Sequence, residues 1–395
     1  MLFGLTEPDL VQKGAEYTAR EIAQQPAMWL ETLDIIRRQK GGLQAFIEQI
    51  TGKRTFDVLM VGAGTSNYVG ESVSQALNAR LPFRIRSCGS TDLVVEPEKY
   101  LTKTTPTLLV SFARSGNSPE SIGAVDMANQ VCQEVFHLFI TCNSQGALAG
   151  RAKGQEHCWS LELPPQTNDQ GFAMTSSFSC MYLAALTVFQ LDRLSEIQSV
   201  VKTLCTQAAQ LIDHDWVKIK RVVDDFDFDR VVYLGTGVLH GVAQESALKM
   251  LELNAGKVAT FFESPLGFRH GPKSIISDQT LTVFYLSSDP YIRRYEMDLV
   301  KELSGQRHKN WLLATSGGED PQIDTLVNEY YVFREEAAIE DAYTALLDVV
   351  GAQILALLKS LKNGIKPDDP CPTGEVNRVV KGVTIYPYSC CERTP

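Results

Sequence analysis

The chain has 395 residues, a formal net charge of −10 from 37 Lys and Arg against 47 Asp and Glu, 44% hydrophobic residues and 21% charged residues. This composition is typical of a folded globular protein and excludes general disorder, a collagen-like chain and a coiled coil. The acidic balance argues against a nucleic-acid partner, which needs a basic surface, but a local nest of N–H groups can still bind a small anionic metabolite.

The N-terminal segment, residues 1–50, is predicted to be helical. Residues 16–24 and 29–38 carry apolar side chains at steps of three and four, which indicates helices with one buried face. From residue 51 onward, short apolar runs alternate with helical segments, as in a parallel sheet covered by helices. The predicted strands are 58–61, 83–85, 107–112 and 135–141, and the predicted helices are 66–80, 119–132 and 175–192.

A second set of elements follows a helical connector over residues 193–222. Its predicted strands are 231–234, 283–286, 311–314 and 330–333, and its predicted helices are 239–256, 291–305 and 341–361. Residues 57–64 and 229–237 begin the two sets alike, with a strand and a glycine turn, and a helix with a Glu-Ser pair follows each, which indicates a duplicated α/β unit.

The predicted fold class is therefore α/β, with two tandem doubly wound, flavodoxin-like parallel sheets behind a helical N-terminal segment. The expected organisation is a helical segment at 1–50, a first α/β domain at 51–200, a second at 201–362, and a Pro- and Gly-containing tail at 363–395 that wraps over the body.

Cellular location is indicated by the apolar runs and the cysteines. The longest apolar stretch, residues 181–191, is about half the ~20 residues that a membrane-spanning helix requires. The N-terminus lacks the basic and apolar regions of a secretion signal. The nine cysteines are odd in number and form no C-x-x-C pair, which favours reduced thiols over disulfides or zinc. We expect a cytoplasmic protein with no membrane partner.

Two glycine-containing turns follow predicted neighbouring strands. The first contains Gly64, Thr65 and Ser66 at the start of a helix, without the third glycine and the later acidic residue of a dinucleotide site. What remains is a general anion site, because the first N–H groups of a helix are unpaired and the helix dipole is positive there.

The second turn is richer in groups that bind a phosphate. It contains Arg114, Ser115, Asn117 and Ser118, and Pro119 is well placed as the first helical residue. The two serines could surround a phosphate and Arg114 could add a charge-assisted contact. The alternative is a helix cap, for which one serine suffices. Two such turns at the carboxyl ends of parallel strands favour a ligand crevice.

Candidate acid/base groups lie in the second half. Glu245, Lys249 and Glu252 are spaced i, i+4 and i+7 and so share one helix face, although a solvated salt-bridge stripe would have the same spacing. His270 follows in an aromatic, Gly- and Pro-rich stretch, 261–273, that is predicted to be a shaped loop. The other histidines show no metal-ligand spacing, so no metal is expected.

Taken in order, these motifs resemble the tandem SIS (sugar isomerase) domain family. The resemblance runs from about residue 50 to the C-terminus and is greatest to the isomerase half of glucosamine-6-phosphate synthase and to the amino-sugar-phosphate deaminase/isomerases. The matching segments are Gly64-Thr65-Ser66, Arg114-Ser115-Gly116-Asn117-Ser118, Glu245-Ser246-Ala247-Leu248-Lys249-Met250-Leu251-Glu252, His270-Gly271-Pro272 and Val380-Lys381-Gly382-Val383-Thr384.

The resemblance implies a role for each of these segments and implies no cofactor. The sugar phosphate would be held by the two turns, that is by Thr65, Ser66, Ser115 and Ser118, with Gly64, Arg114 and Asn117 completing the binding set. Glu252 would move the proton between C2 and C1, with Glu245 and Lys249 in support. His270 would open the sugar ring from a neighbouring subunit, which requires a homodimer or a higher oligomer. Lys381 would come over the site on the C-terminal loop. The family often has serine where Ala113 stands, so the phosphate cradle would have one hydroxyl fewer.

The activity implied by the resemblance converts galactosamine 6-phosphate to tagatose 6-phosphate and ammonia. Deamination is expected rather than synthesis because no glutaminase segment precedes the first α/β unit of this sequence. Three alternatives stay open: an aldose–ketose isomerase of a non-amino sugar phosphate, a glucosamine-6-phosphate deaminase, and a regulator that senses sugar phosphates. A regulator would be expected to carry a basic helix-turn-helix before the first strand, and residues 1–50 are not notably basic.

Overall fold

The described part of the computed structural model comprises residues 1–306, 309–333, 339–380 and 382–388. Its strands form two parallel five-stranded sheets, one in each half of the chain. The strands of the first sheet are β1 (Asp57–Gly62), β2 (Ile85–Gly89), β3 (Thr107–Ala113), β4 (Val135–Thr141) and β5 (Cys158–Glu162). The strands of the second are β6 (Arg230–Leu234), β7 (Ala259–Glu263), β8 (Thr280–Leu286), β9 (Trp311–Ser316) and β10 (Glu329–Val332).

The helices cover both faces of the sheets. They are α1 (Glu7–Lys13), α2 (Glu16–Ala23), α3 (Gln25–Thr51), α4 (Thr65–Asn78), α5 (Ser90–Val95), α6 (Pro97–Tyr100), α7 (Pro119–Val131), α8 (Ala147–Ala152), α9 (Ser176–Val188), α10 (Leu194–Gln210), α11 (Trp216–Asp225), α12 (Val238–Leu253), α13 (Pro265–Phe268), α14 (Pro290–Ser304), α15 (Pro321–Asp324) and α16 (Asp341–Lys362). Short 3₁₀ turns lie at Pro165–Thr167, Leu191–Arg193 and Pro272–Ile275, and a π turn lies at Leu211–Asp215.

The strand order confirms the predicted fold class. It is β2-β1-β3-β4-β5 in the first sheet and β7-β6-β8-β9-β10 in the second. This is the flavodoxin-like order, in which the ligand crevice lies at the carboxyl ends of the strands where the order reverses, next to β1 and β3 or next to β6 and β8. The repeated order also confirms the duplication that the two glycine turns indicated.

Three strand predictions differ from the structure. The strand predicted at 83–85 is wrong in position: β2 begins at Ile85, where pairing with β1 begins, and Phe83 packs on Phe56 outside the sheet at a centroid distance of 5.2 Å. β5 and β7 were not predicted. Both are five-residue edge strands whose side chains are mostly half-exposed, so they lack a buried apolar run. The predicted loop at 261–273 therefore begins with the end of β7 and also contains α13.

Helix α16 is the central helix of the second half. By length and composition it could cross a membrane, but 89% of its apolar window is buried inside the protein. It packs along α12, and residues from both halves join it in one large hydrophobic core. We therefore assign α16 as a core helix.

The two halves meet where α4 packs against α12. The closest approach is at Gly241, where an added Cβ would lie 2.0 Å from the hydroxyl oxygen of Ser72. Only glycine fits at this position without moving the helices apart. The contact matters for function because α4 carries the first glycine turn and α12 carries the predicted acid/base face.

Candidate active site

The first glycine turn places two buried hydroxyls at the start of α4. Gly64 has a φ of +56° and precedes the first helical residue, a backbone conformation that glycine adopts without strain. Thr65 and Ser66 occupy the first turn of α4 and are both buried. The Ser66 hydroxyl faces Met174, whose sulfur lies 4.0 Å away.

The second turn combines a helix cap with a pocket wall. Ser118 caps α7 by accepting a hydrogen bond from the Ser121 N–H at 3.2 Å, as the capping alternative predicted. The Ser115 hydroxyl accepts a bond from the Asn117 N–H at 3.3 Å. The side chain of Asn117 points elsewhere, because its oxygen accepts from the Ala147 N–H at 2.9 Å, at the start of α8.

Both turns line a single pocket at the carboxyl ends of β1 and β3, where the strand order reverses. The lining residues are Ala63, Ser66, Phe112, Ala113, Arg114, Ser115, Ser118, Glu120, Ser121, Met174, Arg378, Val379 and Val380. The structure thus brings Ser66, Ser115 and Ser118 together, as predicted. Gly64 and Asn117 shape the turns and are not among these lining residues.

Arg114 connects the pocket to the C-terminal tail. The residue is only 8% exposed, and its guanidinium donates to the Arg378 carbonyl at 2.6 Å and to the Phe172 carbonyl at 3.3 Å. The Arg378 side chain in turn donates to the Asp169 carbonyl at 3.0 Å. Residues 378–380, which we call the strap, are thereby held as one wall of the pocket.

The loop that receives Arg114 and Arg378 is anchored from its other side by α2. Glu21 accepts hydrogen bonds from the N–H groups of Gln170 and Gly171. Burial, reinforced by the charge of Asp169, raises the pKa of Glu21 to about 8. The N-terminal helices therefore hold a loop that borders the pocket, although sequence analysis gave them no role in the site.

The predicted acid/base face of α12 meets the first turn directly. Lys249 is fully buried, and its Nζ lies 2.5 Å from Glu252 Oε2, 2.9 Å from Thr65 Oγ1 and 3.4 Å from Glu245 Oε1. Glu245 is also fully buried, whereas the Glu252 side chain is 27% exposed. The alternative of a solvated salt-bridge stripe is wrong, because two of the three groups are out of contact with water.

Burial dominates the ionisation of this cluster. It raises the pKa of Glu245 to about 8, with the charge of Glu252 adding to the rise and Lys249 opposing it. Burial alone would lower the pKa of Lys249, but the two carboxylates outweigh it and the net shift is upward. Lys249 is therefore a permanent cation beside Glu252, while Glu245 can hold a proton near neutral pH.

These contacts join the phosphate pocket and the carboxylate into one site. Lys249 links Thr65, next to Ser66 in the pocket, to Glu252 on the other half of the chain. Glu252 is also close enough to attract Arg114, since its charge opposes the downward shift that burial imposes on the pKa of Arg114. The arrangement can bind a dianion and present a carboxylate to a carbon a few ångströms away.

Two predicted residues stand apart from this cluster. His270 lies after α13 on an exposed loop, and among the described residues no hydrogen bond or ion pair joins it to Glu252 or to the serine turns. Lys381 lies outside the described residues, one position beyond the strap. The prediction that both act in the site is untested by these contacts.

Sequence analysis missed several residues of the pocket wall. Met174, Glu120, Arg378 and Val379 line it, and of these only the two strap residues had a usable signal, because they immediately precede the tail motif at 380–384. Glu120 is 8% exposed and places an acid in the second turn of the site. Its position could be found only once the path of α7 was known.

The second half does not repeat this site. Its turn after β8 is shorter, and its groups bond to internal carboxylates: Ser288 N–H and Ser287 Oγ donate to Asp341, and Ser287 N–H donates to Glu296 at 2.8 Å. Burial raises the pKa of Glu296 to about 7. Counted from the equivalent capping glycines Gly64 and Gly237, the counterparts on α4 of Glu245, Lys249 and Glu252 are Ser72, Ala76 and Ala79.

The described ranges contain no clustered set of metal-ligating side chains. No group of three or more His, Cys, Asp or Glu side chains there is arranged to hold a metal ion. The seven cysteines in these ranges have free thiols. Cys390 and Cys391 lie outside them.

Comparisons with known proteins give close relatives over nearly the whole length. No protein-family model matches the chain. It is 40% identical to the D-galactosamine-6-phosphate deaminase AgaS of Shewanella sp. (strain ANA-3), over 97% of this chain and 95% of that one. It is 38% identical to the enzyme of the same name from Escherichia coli, over 94% and 96% of the two chains. A solved structure of a tagatose-6-phosphate ketose/aldose isomerase from Escherichia coli matches with a TM-score of 0.86 and 37% identity, over 94% and 96% of the two chains.

Proposed function

The chain belongs to the family of the D-galactosamine-6-phosphate deaminases named AgaS, and from this membership we propose that it converts galactosamine 6-phosphate to tagatose 6-phosphate and ammonia. The observation that carries the proposal is the contact of Lys249 with both Thr65 and Glu252, which joins the phosphate pocket to an acid/base group. The substrate would be a small sugar phosphate, and the net charge of −10 gives no basic surface for a nucleic acid.

The serine turns supply binding and orientation. The 6-phosphate accepts hydrogen bonds from the hydroxyls of Ser66, Ser115 and Ser118, and Arg114 and the strap close the same pocket. Fixing the phosphate at one end of the sugar sets the distance from C1 and C2 to Glu252. Such positioning lowers the barrier, because the reacting groups lose their translational and rotational freedom on binding rather than in the transition state.

Glu252 carries the proton between C2 and C1. In the open-chain sugar the C1 aldehyde acidifies the C2 proton, and the Glu252 carboxylate removes it to give an enolamine. Glu252 then returns the proton to C1, while O1 gains a proton and the amino group loses one, so that C1 becomes a CH2OH group and C2 an imine. Lys249, held as a cation against Glu252, orients that carboxylate for the first transfer.

Hydrolysis of the imine completes the reaction. Water adds to C2, the carbon–nitrogen bond breaks, and the products are the 2-ketose phosphate and ammonia. An acetylated amino sugar would be a poor substrate, since its amide nitrogen resists imine formation. The reaction as written needs no cofactor.

We further propose that the active unit is a homodimer or a higher oligomer. His270 is exposed on the loop after α13 and has no hydrogen bond or ion pair with Glu252 among the described residues of its own chain, which is the placement expected of a ring-opening group that acts in the pocket of a neighbouring subunit. Lys381 would act from the C-terminal side, since the strap that precedes it already lies on the pocket. A cytoplasmic location is also proposed, and the free thiols of the seven described cysteines support it.

The direct test is ammonia release from galactosamine 6-phosphate by the purified chain. We expect equimolar ammonia and tagatose 6-phosphate, a lower rate with glucosamine 6-phosphate, and no ammonia with N-acetylgalactosamine 6-phosphate. The solved ketose/aldose isomerase also favours a second candidate, the interconversion of non-amino sugar phosphates by the same carboxylate. Isomerisation of tagatose 6-phosphate without ammonia release from the amino sugar would replace the first proposal by this second one.

Replacing a pocket serine is expected to weaken phosphate binding more than turnover. A hydrogen bond to a charged group contributes about 1.5–3 kcal/mol, so Ser115→Ala is expected to raise KM by about 10- to 100-fold. Inhibition by inorganic phosphate should weaken in parallel. The exposed Ser195 on α10 offers a control, because Ser195→Ala is expected to leave both constants unchanged. An unaltered KM in Ser115→Ala would remove the second turn from the phosphate site.

A further inference from the structure

His270 lies between two cations that share one carboxylate. Arg269 and Lys273, on either side of it in sequence, both reach Glu302 on α14. Arg269 Nη2 lies 2.7 Å from one oxygen of Glu302, and Lys273 Nζ contacts the other oxygen. The hydrogen bond from Lys273 is the main reason that the pKa of Glu302 is lowered, so the carboxylate stays ionised. We call Arg269, Lys273 and Glu302 the clamp.

The backbone that precedes His270 is held by a buried side chain and by a hydrogen bond. Phe268 is fully buried and packs near Phe261 at a centroid distance of 6.5 Å. The His270 N–H donates to the Gly267 carbonyl at 2.9 Å. Immediately afterwards Gly271 has a φ of +126°, a conformation that other residues rarely adopt. The chain after His270 therefore turns sharply. Beyond the turn, Ile275 and Ile276 pack against the apolar cluster that includes Val300 of α14, and the clamp adds a charged tie to α14 next to His270 itself.

The His270 imidazole is left free by these contacts. It is exposed, and among the described residues the ring makes no hydrogen bond, ion pair or ring contact. Its own subunit holds the loop in place without engaging the ring. This is the arrangement expected of a side chain that is presented to another molecule.

We propose that Glu302 is a positioning residue for His270: by binding Arg269 and Lys273 together, it holds the loop so that the imidazole projects into the pocket of a neighbouring subunit. The inference rests on the proposed function, because it assigns the clamp a part in ring opening. It adds a residue on a different helix, 32 positions from His270, that touches neither the substrate nor His270 itself.

The clamp is expected to act on geometry rather than on overall stability. The side chains of Arg269, Lys273 and Glu302 are each about one-third exposed. Ion pairs at that exposure typically contribute under about 1 kcal/mol to folding. The position of His270 is more sensitive, since a misplacement of about 1 Å in a reacting group can cost about 10²-fold in rate.

Glu302→Gln tests the proposal because glutamine keeps the size of the side chain and removes its charge. We expect kcat for ammonia release to fall by about 10- to 100-fold, with KM and the thermal midpoint little changed, since the serine turns are untouched. Glu196→Gln is the matched control: Glu196 pairs with Arg193 at 2.5 Å on the exposed face of α10. Wild-type kcat in Glu302→Gln would overturn the proposal.

Mixed subunits separate a positioning role from a general structural one. In a mixture of Glu302→Gln and Glu252→Gln chains, a dimer with one of each has one site with an intact Glu252 and an intact clamp. Random pairing in equal amounts is then expected to restore about a quarter of the wild-type rate. A mixture of Glu302→Gln with His270→Asn should restore nothing, because every site lacks a correctly held His270. Recovery in this second mixture would overturn the assignment.

Hydrogen exchange tests the clamp without relying on activity. The Ser274 N–H donates to the Gly271 carbonyl at 3.0 Å and the Ile276 N–H donates to the Lys273 carbonyl at 3.1 Å. We expect these amides and that of His270 to exchange at least several-fold faster in Glu302→Gln than in the wild type or in Glu196→Gln. Unchanged exchange would refute the clamp even if the enzyme proves active. Faster exchange in a protein that releases no ammonia would instead refute the proposed function alone.

Discussion

Glu252→Gln is expected to lower the rate of ammonia release by about 10²- to 10⁴-fold, the range that a positioned general base contributes. Glutamine has the same shape as glutamate but cannot accept the C2 proton. It can still accept a hydrogen bond from Lys249, whose Nζ lies 2.5 Å from Glu252 Oε2 in the wild type. The pocket lined by the serine turns should therefore keep its shape and its affinity.

The measurement that isolates this effect is proton exchange at C2. With substrate deuterated at C2, the wild type should exchange the label with solvent or transfer it to C1, and Glu252→Gln should do neither while still binding the sugar phosphate in calorimetry. Glu48→Gln, on the exposed face of α3, makes the same chemical change far from the pocket and should behave as the wild type. If Glu252→Gln retained turnover, the base would have to be another group.

Lys249→Met is expected to abolish turnover and also to destabilise the fold. The lysine is the cation between two carboxylates, and Glu245 is fully buried, so water cannot solvate its charge. Removing one partner of a buried ion pair typically costs about 3–5 kcal/mol. The loss should appear as a lower urea midpoint together with the loss of ammonia release.

The stability of Lys249→Met should depend on pH in a definite direction. Burial raises the pKa of Glu245 to about 8 in the folded protein even though Lys249 opposes the rise. Without the lysine this pKa rises further. The folded state then holds a proton that the unfolded state releases above about pH 4.5, so stability falls as the pH rises from about 4.5 to the folded-state pKa and levels off above it. We expect the variant to be more stable at about pH 6 than at about pH 9, by a larger margin than the wild type.

Lys359→Met is the control for these two effects. Lys359 is also buried, at 2% exposure, and its Nζ lies over the ring of Phe228, which precedes β6 and is not among the residues that line the pocket. Its partner Asp227 has an 82% exposed side chain, which water can solvate once the lysine is gone. Activity should survive in this variant and its stability should show little added dependence on pH above 6. Equal pH dependence in the two variants would argue against Glu245 as the titrating group.

The sequence alone was sufficient to predict the helices and strands in which the apolar residues follow a clear pattern. The central strands β1, β3, β4 and β8 are continuous buried runs, and α12 and α16 bury whole faces, so their positions followed from the pattern of apolar residues. Edge strands β5 and β7 lack such runs because solvent reaches one side of them. Their existence depends on pairing with β4 and β6, which local sequence does not encode.

The sequence predicted which side chains belong to the site but not which of them contact one another. Spacing placed Glu245, Lys249 and Glu252 on one helix face, yet it could not distinguish a solvated face from a buried one. Only the packing of α12 on α4 decides that Lys249 meets Thr65 rather than water. The hydrogen-bond partners of Arg114 could not be predicted from the sequence either, since its acceptors are the backbone carbonyls of residues 172 and 378.

The tight meeting of α4 and α12 at Gly241 has a consequence for how substrate reaches the pocket. With the helices this close and one apolar core continuous across both halves, rotating one half against the other would break the pairing of Lys249 with Thr65. We therefore expect the sugar to enter and leave at the periphery of the pocket, where the strap at 378–380 forms one wall. Exchange of the sugar with solvent would then be governed by displacement of the strap rather than by bending of the body.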